Sequence, residues 1–240
     1  MKKVFFGSFL LLIFAGSSVY SQIGVGNGAG SMNRNDNEEI VNEFFKGIKK
    51  NEESNSIKGS PYLNEDFQIA MLDFPNYDPI SAEVRYNIAK EEMQVKIDED
   101  GYRVLHPGVV VKMNNRPFKM LGYRGEKKNL DLLGYFEFLT PDNGEGDLVL
   151  LNKHSITVRR GKAAAAMQKA TPPKYISKDD LYLKFGASKP VMVERKTKKF
   201  LKQFPADHRN QVKGFMEENK LRSKDIADLK AIVNYYNANF

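Results

Sequence analysis

The chain contains three histidines, the side chains best suited to acid–base catalysis and zinc binding near neutral pH. They are His106, His154 and His208, and they lie far apart in the sequence. None belongs to an H-E-x-x-H pattern, and none is spaced to share a zinc ion with a second histidine or a suitable carboxylate pair. We therefore expect structural or surface roles for all three histidines, and we predict no metal site.

The sequence also gives no support for a catalytic nucleophile or a bound cofactor. The chain has no cysteine, which excludes thiolate nucleophiles and cysteine metal ligands. The Gly-x-Ser-x-Gly elbow of serine hydrolases does not occur in the sequence. Residues 24–29 match the letters of a dinucleotide fingerprint, G-x-G-x-x-A, but no βαβ unit surrounds them. The sequence therefore predicts no cofactor.

Carboxylates cluster in two turns, at residues 98–101 and 142–147. Neither turn completes a calcium-binding loop with its distal Glu, so hairpin turns explain both. A catalytic carboxylate pair depends on spatial separation, which the sequence does not reveal. We therefore keep a hydrolase with a dispersed carboxylate site as an alternative, although the sequence favours a protein without catalytic activity.

Residues 153–174 carry six Lys or Arg and no Asp or Glu. An arm for nucleic acid would add aromatic side chains for stacking, and an interfacial membrane helix would add bulky apolar ones. No aromatic side chain occurs from Ala163 to Lys174, which excludes nucleic acid as the expected partner, and the alanines and single methionine there would bury too little in a membrane. We predict a solvated crossover connector, with a helical turn at Ala163–Ala166 ended by Pro172 and Pro173. Peripheral contact with an anionic surface is the alternative.

Aromatic residues near this stretch suggest a partner surface. The chain has 11 Tyr and 16 Phe but no Trp, so tyrosines would supply the amphipathic contact area that partner surfaces use. Filling of a β core and its rim is the competing explanation. The candidate partner surface consists of three cations and two tyrosines: Arg159, Arg160, Lys162, Tyr175 and Tyr182.

The first residues predict export from the cytoplasm. Lys2 and Lys3 precede an apolar run, and small residues then lead to a cleavage site, so residues 1–21 have the pattern of a signal peptide. The run is too short for a membrane span of about 20 residues. We expect a periplasmic or outer-membrane-associated protein with no transmembrane span after cleavage. Loss of the leader would lower the net charge from +7 to +5.

Period-two alternation dominates residues 57–186. Glu83 and Arg85 alternate with Val84 and Tyr86, for example, as in a half-buried strand. Tight turns separate the predicted strands without intervening helices, so we expect an antiparallel meander that forms a sandwich or a partial barrel. The predicted strands cover 66–74, 81–88, 91–97, 102–106, 109–113, 118–123, 132–140, 147–153, 156–160 and 181–185.

The flanking segments differ from this β domain. Residues 22–56 are predicted to be a flexible lead-in with a short helix over 38–45. Residues 187–240 show helical periodicity in three segments, the second capped by Asp207 and the third by Ser223. The predicted fold class is therefore α+β: a mainly antiparallel β meander followed by a small C-terminal helical unit.

Several short motifs occur in a fixed order along the chain. They are KGSPYLNEDF at 58–67, RYN at 85–87, EM at 92–93, GYFEFL at 134–139, PPKY at 172–175, DLYLK at 180–184 and NYYN at 234–237. In this pattern the chain resembles an uncharacterised family of secreted β-rich proteins of Bacteroidota. The resemblance implies a location in the envelope or periplasm, and it brings no catalytic residues with it.

Export, a strand-rich design and missing catalytic signatures together predict a non-catalytic envelope protein. Its β module would bind another protein or an envelope component. A periplasmic carrier of a lipid or other apolar ligand is the alternative, because a curved sheet closed by helices can enclose a cavity. No pattern in the sequence identifies the partner or the oligomeric state.

Overall fold

The protein is described by a computed structural model that covers residues 43–50, 57–98, 101–125, 130–144, 147–163 and 169–240. Over these ranges the chain forms one sheet of 11 strands, followed by helices. The strands are β1 Lys49–Lys50, β2 Gln68–Asp73, β3 Ile80–Asn87, β4 Glu92–Lys96, β5 Gly101–Val104, β6 Val110–Met113, β7 Arg116–Arg124, β8 Asp131–Phe138, β9 Leu148–Arg159, β10 Lys174–Phe185 and β11 Val191–Met192. The helices are α1 Thr197–Leu201, α2 Arg209–Glu218 and α3 Ile226–Asn239.

Every strand pairing in the sheet is antiparallel. The strand order is β1-β5-β4-β3-β2-β6-β7-β8-β9-β10-β11, so β2 to β5 form one meander and β6 to β11 form a second. The two meanders join where β6 pairs with β2. The sheet is open, with β1 and β11 at its edges. This architecture, with helices at the C-terminus, confirms the predicted α+β fold class.

The link between β5 and β6 shows that the sheet is strongly curved. These strands lie four strand spacings apart in the sheet order, which is about 19 Å in a flat sheet. Only residues 105–109 connect them, and they include a Pro-Gly turn that shortens their reach. Leu105 and Val109 both lie in the core cluster that β2 and β6 line. The first meander therefore rolls around its apolar residues.

Apolar side chains form three clusters. The first fills the curved meander, with fully buried aromatics from β3, β7 and β8: Tyr86, Phe118 and Tyr135. The second packs the helices against β9 and β10, through residues such as Leu150, Phe200 and Ile232. The third lies around Phe136, Val149, Leu151 and Tyr182. The first half of β9 is therefore buried on both faces.

Strands extend into both ends of the stretch predicted to be a connector. β9 joins the two strands predicted at 147–153 and 156–160, and β10 begins at Lys174 instead of residue 181. The connector predicted between Arg160 and Leu181 is therefore too long, because residues 174–180 belong to β10. These strands pair with each other in an exposed hairpin, which does not require one apolar face. The turn predicted at Ala163–Ala166 lies mostly outside the described residues.

Both predicted helix caps are wrong. His208 precedes α2 without a capping side-chain bond, and Asp207 is highly exposed beside it. Asp225 caps α3, because its Oδ1 accepts from the N–H groups of Ala227 at 3.0 Å and Asp228 at 3.3 Å. Ser223 instead donates to the carbonyl of Arg195 at 3.1 Å, so it connects the third helix to the segment before the first.

The predicted leader and most of the predicted helix over 38–45 lie outside the described residues. Of that helix, Glu43 and Phe44 are helical, and Phe44 packs its ring against Phe74 of the first core cluster. Among the helices of the described ranges, none is long and apolar enough to cross a membrane.

Candidate functional site

The two longest strands, β9 and β10, form a hairpin whose distal half diverges from the sheet. They pair over all 12 residues of each strand, and a bridge between Lys162 and Thr171 continues the same register toward the tip. β8 pairs with β9 only at Leu151 and Asn152. We call residues 155–178, beyond this point, the basic arm.

The basic arm presents only positive charge. It contains six Lys or Arg and no Asp or Glu, and all six are exposed: Arg159, Arg160, Lys162, Lys169, Lys174 and Lys178. Arg159 and Lys174 lie directly opposite each other in the register. Like charges in opposite positions destabilise a strand pair by some tenths of a kcal/mol. An anionic partner would remove this repulsion, so the pattern favours a surface that binds one.

Four residues of the candidate partner surface lie on the basic arm. Arg159, Arg160 and Lys162 are exposed, and Tyr175 is half-buried. Tyr182 differs, because only 5% of it is exposed and its ring packs at right angles against Phe136. The structure therefore brings three cations and one tyrosine together and places Tyr182 inside the third apolar cluster.

Ionisable side chains from four neighbouring strands form a hydrogen-bonded chain at the base of the arm, which we call the charge chain. Arg116 of β7 donates two hydrogen bonds to Glu137 of β8, both 2.6 Å long. Glu137 Oε2 lies 2.9 Å from His154 Nε2 on β9. His154 Nδ1 lies 2.6 Å from Asp179 Oδ1 on β10. His154 and Asp179 are direct partners in the strand register.

The charge chain connects the interior to solvent at both ends. The side chains of Glu137 and His154 are each only 7% exposed, whereas those of Arg116 and Asp179 are 42% and 64% exposed. A buried carboxylate without partners would be costly. The paired guanidinium and imidazole make burial of Glu137 tolerable, and the two outer groups remain hydrated.

Glu137 stays ionised throughout the physiological pH range. Burial alone would raise the pKa of this carboxyl group, but hydrogen bonds from Arg116 and His154 outweigh burial and lower the pKa of Glu137 to about 2. The hydrogen bond to Glu137 in turn raises the pKa of Arg116. The pair is therefore a fixed ion pair, and Glu137 has no proton to donate near neutral pH.

This geometry does not suit the charge chain for acid–base catalysis. A general acid needs a pKa near the working pH, which Glu137 lacks. Each ring nitrogen of His154 already faces a carboxylate oxygen, so neither nitrogen is directed toward a substrate. The charge chain instead connects β7, β8, β9 and β10 by side-chain bonds where the β8–β9 ladder has ended. It fixes the base of the arm.

A second polar group lies where β9 separates from β8. Lys153 has a side chain that is only 4% exposed, and its Nζ donates to Glu91 Oε1 in the turn between β3 and β4. Glu91 Oε2 accepts from the hydroxyl of Tyr86 at 2.8 Å and from the backbone N–H of Tyr135 at 3.0 Å. The carboxylate therefore pairs with a backbone N–H that β9 no longer reaches.

The absence of a side chain at Gly134 makes room for this lysine. A Cβ atom at Gly134 would lie 2.7 Å from Lys153 Cε and 3.2 Å from Cε1 of Tyr123. Lys153 Nζ also lies 5.9 Å from the ring centroids of Tyr123 and Phe136, within the range of cation–π attraction. Lys153, the first residue of the predicted basic stretch, is thus a buried structural cation and no part of the arm.

The phenols beside Glu91 stay neutral. Burial, followed by the negative charge of Glu91, raises the pKa of both Tyr86 and Tyr135 above the ordinary range for tyrosine. Neither phenol can serve as a base near neutral pH. Within the described ranges, no group of three or more His, Cys, Asp or Glu side chains could hold a metal ion.

The other residues considered for chemistry have local structural partners. His208 Nδ1 lies 2.9 Å from the hydroxyl of Tyr236, and its ring stacks on Phe240. The backbone N–H of His106 donates to the carbonyl of Phe44 at 2.8 Å. In the second acidic turn, Asp142 pairs with Lys184 at 3.2 Å. Residues 99–100 and 145–146 of the two turns lie outside the described part of the chain.

The members of the charge chain were not predicted as a group. Arg116, Glu137, His154 and Asp179 are separated by 21, 17 and 25 residues along the chain. No local motif relates them, because only the register of four adjacent strands brings them together. His154 was singled out by its residue type alone, without its partners.

Comparison of the chain with protein-family models, with curated proteins and with solved structures gives no match in any of the three. The resemblance to secreted proteins of Bacteroidota therefore stays a prediction from sequence motifs. The site has to be interpreted from its own geometry and charge.

Proposed function

We propose that the protein is a non-catalytic, exported envelope protein whose β module binds an anionic partner on the basic arm. The partner is another protein or a component of the envelope. The single observation that carries the proposal is the arm itself, whose residues include six exposed cations and no Asp or Glu. Of these cations, Lys178 is paired with Asp180 just beyond the arm. A hairpin that only connected two strands would gain stability from mixed charges, so the uniform charge is better explained by a partner.

The charge chain supports a binding role by making the arm rigid at its base. Residues at a binding surface lose less entropy on association when they are already ordered. Asp179 and His154 join the two strands of the arm, and Glu137 and Arg116 join them to the sheet. The cations beyond this point are thus presented on a preorganised support.

The predicted leader supports the assignment to the envelope. An exported chain with a mature charge of +5 would meet anionic glycans, lipid headgroups and acidic protein surfaces. The proposal places the partner among these envelope components.

Capture from an envelope extract of the producing organism tests the proposal. We expect the immobilised protein to retain a reproducible partner, and the triple variant Arg159→Gln, Arg160→Gln, Lys162→Gln to lose it. A matched control replaces three exposed lysines of the helical unit, by Lys198→Gln, Lys224→Gln and Lys230→Gln. The control has the same net charge as the arm variant and should retain the partner. Equal retention by both variants, or no retained partner at all, would refute the proposal.

A further inference from the structure

Among the residues that the structure describes, none pairs with the middle of the outer edge of β10. Alternate residues of an antiparallel strand direct their N–H and C=O groups to opposite sides. On the side away from β9, Tyr175 N–H donates to the carbonyl of Lys58 at 3.0 Å, and the carbonyl of Leu181 accepts from Val193 at 2.8 Å. Ser177 and Asp179 have the same parity, so their backbone groups point to this edge as well.

Two chain segments lie along this edge, and they leave a gap between them. Residue Lys58 forms a parallel bridge with Lys174, and the chain then turns away at Gly59, which has a φ of 90°. At the other end, β11 pairs only with Tyr182 and Leu183 of β10. Within the described ranges, no strand pairs with the outer edge at 176–180.

We infer that the partner of the basic arm inserts an extended acidic segment into this gap, as an added strand on β10. The inference rests on the proposed function and specifies the form of the contact. Ser177 and Asp179 would supply the main-chain hydrogen bonds, each with one N–H and one C=O group. Addition of a strand to an open sheet edge is a general mode of peptide recognition.

The charges around the gap favour an acidic segment. Lys174 and Lys178 project from the same face of β10 on either side of Ile176. The two nearby acids already have cationic or histidine partners, because Asp179 pairs with His154 and Asp180 lies 2.8 Å from Lys178 Nζ. Because Lys178 is already paired with Asp180, the attraction for an incoming carboxylate comes mainly from Lys174 and the other cations of the arm.

The variant Ser177→Pro distinguishes main-chain pairing with an added strand from simple charge attraction. Ser177→Pro removes an N–H that points away from β9, at an edge position where proline is tolerated in strands. Ser177→Ala keeps the N–H and is the matched control. The probe is a short labelled peptide of alternating Glu and Val, and its affinity is measured by fluorescence anisotropy at low salt.

We expect the proline variant to bind the Glu-Val peptide about tenfold more weakly than the alanine variant, because main-chain hydrogen bonds are lost. On wild-type protein, a Glu-Val peptide with N-methylated alternate amides should also bind about tenfold more weakly. This second comparison remains valid if the proline variant fails to fold.

Equal affinities in both comparisons would overturn the inference, as would no binding of the unmodified peptide. Binding of vesicles with anionic lipid that is stronger than binding of the peptide would also overturn it. In each of these cases the proposed function survives if the arm-charge variant still loses its partner in the capture experiment. Loss of the added strand and loss of the binding role are thereby distinguished.

Discussion

Glu137 is the residue on which the charge chain depends most. It is buried, and it contacts two other members directly, Arg116 and His154. Removal of its charge would leave the guanidinium of Arg116 and the ring of His154 without their shared anionic acceptor. Loss of one partner from a buried ion pair is more damaging than its net contribution suggests.

Glu137→Gln should lower the free energy of unfolding by about 3 kcal/mol at pH 7. The pKa of Glu137 lies below its ordinary value of 4.5, at about 2. As the pH falls, the unfolded chain takes up this proton first, so the stabilisation is present above about pH 4.5 and is lost toward pH 2. The stability difference between wild type and variant, from urea unfolding at several pH values, should shrink over this window.

The control for this measurement is Glu83→Gln, which removes an exposed pair with Lys96. An exposed pair of this kind contributes little to stability, so the control should differ little from wild type. A Glu137 variant that is as stable as the control at pH 7, or whose deficit does not change with pH, would contradict the structural role given to the charge chain.

Strand β9 joins the two halves of the molecule, since its first half contacts both the β8 ladder and the helices. Asn237 of α3 contributes to this junction through its side-chain amide. Its Oδ1 accepts from the N–H of Leu148 and its Nδ2 donates to the carbonyl of Leu148, both at 2.8 Å. The amide therefore satisfies two backbone groups of β9 that face away from β10.

Asn237→Ala should destabilise the protein by about 1–3 kcal/mol, because it leaves a partly buried N–H and C=O without partners. Asn234→Ala in the same helix is the matched control, since Asn234 is exposed, and it should change stability by less than about 0.5 kcal/mol. Thermal or urea unfolding measures both values. Equal stabilities of the two variants would show that the two hydrogen bonds between Asn237 and Leu148 contribute little to the stability of the fold.

The strands that bury one face could be predicted from the sequence, as could the part of β9 at 156–159, whereas the first half of β10 could not. In β3, Val84 and Tyr86 alternate with polar residues because they point into the core, and the predicted strand matches the observed one closely. In β10, residues 174–180 have no such alternation, since neither face packs on a large core. This segment is a strand because it pairs with β9. No local pattern in its own sequence indicates a strand.

The same limit applies to the site. Three cations of the arm lie within four positions of the sequence, so Arg159, Arg160 and Lys162 are recognisable as a candidate surface. The charge chain depends on the register between strands, which residue spacing does not specify. The cap of the third helix was mispredicted for a similar reason. Ser223 and Asp225 are both residue types that cap helices well, and the contact of Ser223 with Arg195 leaves Asp225 as the cap.

At the scale of the whole molecule, the curved sheet and the helical unit provide a support for one protruding hairpin. The first apolar cluster contacts the start of that hairpin through Ile156, and the second contains Leu148 and Leu150 from the beginning of β9. This arrangement separates the stable core from the surface that we propose for binding. Substitutions of the exposed arm cations should therefore change binding with little effect on folding.

Lysine footprinting in the presence of envelope extract tests the binding role of the arm most directly. Acetylation rates, read by mass spectrometry with and without extract, report which amines a partner covers. We predict slower acetylation of Lys162, Lys169 and Lys174 in the extract and unchanged rates at three exposed lysines of the helical unit: Lys198, Lys224 and Lys230. Unchanged rates on the arm, or protection confined to the helical lysines, would contradict it.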